Sequence, residues 1–135
     1  MTTNELRIVF GGGLKVNAEY KGFLVRTDQP VREGGEGSAP SPFDYFLVSL
    51  AACAGFYALE FCQARKIPTE KLGVTMTTER GAVSKMIEKV TIRLALPPGF
   101  PDKYRGPIVK AVDHCTVKAH ILRPPQFEIV TGPAE

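Results

Sequence analysis

The sequence predicts an α+β fold of order β-β-β-α-β-β-α-β, with one long buried helix against mostly antiparallel strands. Three observations lead there: glycine-punctuated alternation before residue 28, an apolar stretch from Ser41 to Lys66, and two alternating runs between Leu72 and Leu96. At 135 residues the chain has room for one core, so a single domain, 1–135, is expected.

The first three strands are read from LRIVF, LKVNAEY and FLVRTD, separated by GGG and KG. Leu14, Val16 and Ala18 share one face of the second, and the tight turns make an antiparallel meander. Gln29 to Pro42 has three prolines, three glycines and no apolar period, which makes it a loop. At its end Ser41 can cap a helix, Pro42 fits the first helical position, and Asp44 stands three residues after the cap, where a capping box places an acid. From Phe43 to Phe61 the helix is apolar nearly all round, which belongs inside a fold. Its length approaches that of a membrane span, but Asp44 and Glu60 near its ends and the small residues Ala51 to Gly55 indicate a core helix.

Pro68 ends this helix. Leu72 to Arg80 and Met86 to Leu96 then read as a hairpin around Gly81 to Ser84. Apolar residues at 104, 108, 112, 115 and 119 recur every three or four positions, predicting a second helix from about Asp102 to His114 with Cys115 near its end. FEIVTG reads as a sixth strand.

Seventeen basic and fourteen acidic residues give a formal charge of +3, with no run of like charge and no aromatic residues interleaved with cations, so nucleic-acid binding is not indicated. The first ten residues lack the pattern of a secretory signal, and a cytoplasmic location is expected. Three cysteines with no CxxC pair suit free thiols or a redox couple better than a disulfide framework or zinc site.

Cys53, in LAACAG, has small neighbours on every side; it is either a packed core thiol or a shielded nucleophile. Cys62, nine residues on, falls on the opposite side of the helix and reads as filler, while Ser49 and Tyr57 share the face of Cys53. Cys115, flanked by His114, Lys118 and His120, could form a redox couple with Cys53, although sequence separation does not show that the two meet. A zinc site from these cysteines and histidines matches no finger or catalytic spacing. Arg32 in the glycine-rich loop could lower the pKa of a nearby thiol, held by Glu36 or Asp44, with Arg26 as the competing arginine.

Together these segments resemble the OsmC/Ohr family: REGGEGSAPSP runs into a long apolar helix with LAACAG, and HCTVKAHILRPP follows a long hairpin. The resemblance covers nearly the whole chain and implies an OsmC-like fold in an intertwined homodimer, the two central helices buried between two sheets. It further implies a thiol-dependent peroxidase for organic hydroperoxides, with Cys53 as the peroxidatic nucleophile, Cys115 as the resolving thiol and Arg32 stabilising the thiolate. Reduction by a dithiol, dihydrolipoamide in relatives, would restore the enzyme, and no metal, flavin or haem is implied. The chain departs from the family's NPE pattern: it reads SPFD, with Phe43 at the usual glutamate position and Asp44 one residue later, closer to a less characterised branch reading SPxE. That shift turns the side chain by about 100° around the helix. The alternative function is a non-catalytic dimer that binds a small hydrophobic or thiol-reactive ligand at the subunit interface. No membrane partner is expected.

Overall fold

The structure is a computed structural model and describes residues 1–134. It forms two compact units, one from Met1 to Val48 and one from Ser49 onward, and the boundary falls inside a continuous helix.

In the first unit, β1 (Arg7–Phe10), β2 (Val16–Tyr20) and β3 (Phe23–Val25) form an antiparallel sheet in that order. The register pairs Ile8 with Ala18 and Tyr20 with Phe23. Lys21 and Gly22 both take positive φ, 51° and 81°, as a two-residue hairpin with the twist of its strands requires.

The loop that follows is held by a residue the sequence reading missed. Asp28 is 1% exposed, and its carboxylate accepts hydrogen bonds from the Gln29 amide at 2.7 Å, the Ser38 amide at 3.0 Å and the Ser38 hydroxyl at 2.6 Å. The Ser38 hydroxyl, reinforced by the backbone donors, lowers its pKa to about 2 against the opposing effect of burial. The loop closes so tightly that a Cβ on Gly35 would lie 2.0 Å from the Gln29 carbonyl oxygen. Because the folded pKa is depressed, the stabilisation is complete above the ordinary value of 3.8 and is lost as pH falls through about 2. An NMR titration of the Asp28 carboxyl carbon is expected to give a midpoint near 2, and a midpoint at 3.8 would show that the loop is not pinned there. Asp28→Ala is expected to speed proteolytic cleavage within residues 29–38 at neutral pH, with the second unit unaffected.

Helix α1 (Pro42–Ala64) begins with the capping box: the Asp44 amide donates to the Ser41 hydroxyl at 3.2 Å and the Ser41 amide to the Asp44 carboxylate at 2.9 Å. Gly55 does not interrupt it. At the other end Lys66 adopts left-handed φ of 56°, and the Ile67 amide reaches back to the Cys62 carbonyl at 2.9 Å. This is a Schellman-type ending with lysine where glycine is favoured. Lys66→Gly is expected to raise stability by about 0.5 kcal/mol, read as a higher thermal midpoint, because glycine takes this conformation without steric cost. Arg65 closes the same end, its guanidinium 3.6 Å from the Phe61 ring centre and bonded to the Phe61 carbonyl.

The expected long apolar core helix is present, and one chain covers only part of it. It is long and apolar enough to cross a membrane by length and composition, yet in the single chain it buries only Leu50, Ala54, Ala58, Phe61 and Cys62. Phe46, Val48, Phe56 and Leu59 are exposed. An all-round apolar helix needs cover on more than one side, and one chain covers one stripe.

In the second unit, β4 (Gly73–Arg80) and β5 (Ile87–Ala95) pair antiparallel with Val74 opposite Leu94 and Met76 opposite Ile92, with an irregularity at Glu79 and Arg80. A 3-10 turn over Asp102–Tyr104 leads into α2 (Arg105–Asp113), where Pro107 sits harmlessly in the first turn. Ala54, Ala58, Phe61, Cys62, Phe100, Ile108 and Val112 form the core, with Val74, Ile92, Leu94 and Leu96 packed on it.

One element is added and one is lost. The second helix ends at Asp113, close to the expected His114, and Cys115 follows it, but as the cap of a further, unexpected helix, α3 (Thr116–Leu122), with its backbone outside the helical region at φ −52°, ψ 120°. FEIVTG forms no strand and joins neither sheet; a strand requires a ladder partner, and Phe127 and Ile129 stand 84% and 96% exposed.

Candidate functional site

Cys53 lies midway along α1, half-buried, where the alanines around it let other backbone approach. What approaches is the break between α2 and α3. His114 ends α2, and Cys115 caps α3 with its sulfur, which accepts the Lys118 amide at 3.4 Å. One turn beyond Cys53, the Tyr57 hydroxyl meets the Thr116 hydroxyl at 3.1 Å, tying α1 to the first residue of α3.

This arrangement brings the two thiols into hydrogen-bond contact. Burial alone would raise the pKa of Cys53, but the Cys115 thiol and the backbone amides of Val117 and Thr116 all donate to its sulfur and hold it below the ordinary value. For Cys115, burial comes first and pushes it up; the Lys118 amide opposes this, and the neighbouring Cys53 thiolate adds to it. The site is therefore asymmetric. Cys53 is the more acidic thiol of the two and Cys115 the less acidic. Cys62 is fully buried, its pKa raised by desolvation despite Arg65 nearby, and it takes no part.

The other sequence candidates fall in the first unit. Arg32 is exposed on a 3-10 turn over Val31–Glu33. Glu36 pairs with Lys15 at 2.5 Å, and Asp44 is occupied by the Ser41 cap. Arg26 presents its backbone carbonyl to the Tyr45 hydroxyl at 2.7 Å. Within that unit neither Glu36 nor Asp44 holds Arg32. The residues sequence reasoning missed at the site are the amide donors of 116 and 117. The sequence reading ended a helix near His114 but carried no signal that a second one starts at Thr116.

A cavity of about 710 Å³ opens between β5, α2 and α3, with Cys115 in its wall. Among the described residues, no three His, Cys, Asp or Glu side chains converge as a metal site would require.

A dithiol set between a long apolar helix and a helix break, in an antiparallel α+β frame, defines the class of protein. The chain belongs to the family of OsmC-like proteins, whose family model matches residues 35–130. In fold it is similar to crystal structures of an osmotic stress induced and detoxification response protein from Psychrobacter arcticus 273-4 (21% identity, 88% of each chain covered, TM-score 0.72) and of an OsmC-like protein from Mycoplasma pneumoniae (16%, 90% of this chain and 88% of that one, 0.68). It is also similar to an organic hydroperoxide resistance protein OsmC from Legionella pneumophila (22%, 90% of each, 0.55). No curated protein sequence matches the chain.

Proposed function

We propose that this protein is a cytoplasmic thiol peroxidase that reduces organic hydroperoxides to alcohols. The observation that carries the proposal is the adjacent pair of thiols, with the pKa of Cys53 lowered and that of Cys115 raised. The Cys53 thiolate attacks the terminal peroxide oxygen, the O–O bond breaks, and the alkoxide leaves with a proton as the alcohol. The resulting Cys53 sulfenic acid condenses with the Cys115 thiol, forming a disulfide and releasing water. A small dithiol such as dihydrolipoamide then exchanges with the disulfide, regenerating both thiols and leaving oxidised as a cyclic disulfide.

The amides of Thr116 and Val117, already aimed at the Cys53 sulfur, stabilise negative charge there before attack. Arg32 serves as the cation for thiolate and peroxide, and Glu36 or Asp44 orients it, in the assembled dimer. Support for a dimer comes from the uncovered apolar residues of α1, Phe46, Val48, Phe56 and Leu59, whose exposure in one chain is more than a stable monomer normally tolerates.

The deciding experiment treats the reduced protein with one equivalent of cumene hydroperoxide and maps disulfides by mass spectrometry. A Cys53 to Cys115 bond formed within seconds is expected; three unchanged thiols would refute the reaction.

A further inference from the structure

The hydrogen bonds around the break between α2 and α3 run in two directions. The Lys118 ammonium pairs with Asp113, and the Lys118 amide donates to the Cys115 sulfur at 3.4 Å. The His114 and His120 rings donate to the carbonyls of Lys110 and Thr116 at 2.8 and 2.7 Å. These bonds join the α2–α3 stretch to itself, so they fix its shape and not its distance from α1. The bond between the Tyr57 and Thr116 hydroxyls, at 3.1 Å, crosses instead from α1 to the residue that follows Cys115 in the chain.

That crossing has weight because packing anchors α3 weakly: the helix is seven residues long and none of them is buried. Tyr57 is firmly set on the other side. It stands four residues from Cys53 on the same face of α1, half-buried and packed against the core that holds Ala54, Ala58 and Phe61. A tyrosine ring turns about only two side-chain bonds, and a β-branched threonine is stiff at its first. The pair is therefore a short strut between the helix that carries Cys53 and the stretch that carries Cys115. The groups that lower the pKa of Cys53, the Cys115 thiol and the amides of Val117 and Thr116, all belong to the stretch that this strut locates.

We propose that Tyr57 is a positioning residue for the dithiol, its hydroxyl holding Thr116 so that the neighbouring Cys115 stays within bonding reach of Cys53. As a determinant of turnover, where Cys115 must reach a Cys53 sulfenic acid, the inference rests on the peroxidase reading; as a determinant of how readily the two sulfurs join, it does not.

The test brings the full-length wild type, Tyr57→Phe, Thr116→Val, Thr116→Ser and the Tyr57→Phe/Thr116→Val double variant to equilibrium in buffers of reduced and oxidised glutathione. As the Cys53–Cys115 disulfide forms, glutathione disulfide is reduced to a pair of glutathione thiols, and the protein species are quantified by peptide mass. Phenylalanine keeps the ring of tyrosine and valine the shape of threonine, so each removes little besides a hydroxyl. Each is expected to lower the equilibrium constant for the protein disulfide about fivefold, a potential about 20 mV less negative. The double variant should fall no further than either single one, because both remove the same bond. Thr116→Ser keeps the hydroxyl and should stay within about twofold of the wild type. In the reduced protein, the pH midpoint for alkylation of Cys53 should rise in Tyr57→Phe and Thr116→Val. A purely structural role for Tyr57 would lower the thermal midpoint and leave the redox equilibrium and the alkylation midpoint in place, which overturns the inference. So do additive losses in the double variant, and so does the absence of a Cys53–Cys115 disulfide in every glutathione buffer. Shifted equilibria in the variants, with a wild type that forms no disulfide with cumene hydroperoxide, refute the reaction and leave the strut standing.

Discussion

Cys53→Ser is expected to reduce hydroperoxide turnover by at least about a thousandfold, because a serine hydroxyl in the same place is not ionised and cannot replace a thiolate attacking an O–O bond. Cys62→Ser is expected to leave turnover within about twofold, since that thiol is enclosed in the core. Cys115 variants separate two roles. Cys115→Ser keeps a hydroxyl donor against Cys53, so the acidified thiol survives while the disulfide cannot form, and one equivalent of peroxide is consumed before turnover stalls. Cys115→Ala also removes the donor. The pH midpoint for alkylation of Cys53 should then move upward relative to both the wild type and the serine variant. Iodoacetamide labelling across pH, read by peptide mass, checks this: coincident midpoints for the alanine and serine variants would show that the Cys115 thiol does not tune its neighbour.

The second large effect concerns the core on which this pair is mounted. Ile108 is fully buried between α1, α2 and the β4–β5 sheet, so Ile108→Ala leaves a cavity lined by groups that cannot collapse into it. A loss of about 2–5 kcal/mol is expected, a fall in thermal midpoint on the order of 10 °C. Ile108→Val, which removes one methylene, should cost only about 1 kcal/mol. Chemical denaturation of the three proteins measures both values, and similar losses for alanine and valine would mean that the site relaxes around the missing atoms.

The sequence carried most of the local structure because local rules produced it. Ser41, Pro42 and Asp44 announce the start of α1, and the capping hydrogen bonds form as the pattern requires. The β4–β5 hairpin follows from alternation, and the β2–β3 turn from Lys21 and Gly22. What failed depended on partners. The expected helix end near His114 holds, but residues 104, 108, 112, 115 and 119 keep helical spacing and did not announce a separate helix starting at Thr116. FEIVTG has the composition of a strand, and composition does not supply an edge to pair with. Asp28 was passed over because a carboxylate beside Pro30 looks like ordinary loop polarity until Ser38 folds back onto it.

At the candidate site, spacing singled out Cys53 but did not bring it to Cys115; that pairing came from family resemblance, and in the folded chain the two thiols lie close enough for each to shift the other's pKa. The arginine loop is the part that one chain leaves open. Arg32, Glu36 and Asp44 are placed within the first unit with other partners or none, and their proposed roles belong to the assembled dimer.

The capping role of Cys115 has a mechanical consequence. Its sulfur is the acceptor that secures the first turn of α3 through the Lys118 amide. Once that sulfur is joined to Cys53 it can no longer sit freely over the helix end, and a disulfide sulfur is a poorer acceptor than a thiol or thiolate. Each catalytic cycle would therefore unfasten and refasten a helix terminus, and the Lys118 amide would report the oxidation state of the protein by its rate of exchange with solvent. A helix held at its entrance by a thiol makes the chemical state of that sulfur and the local order around it a single variable in this fold.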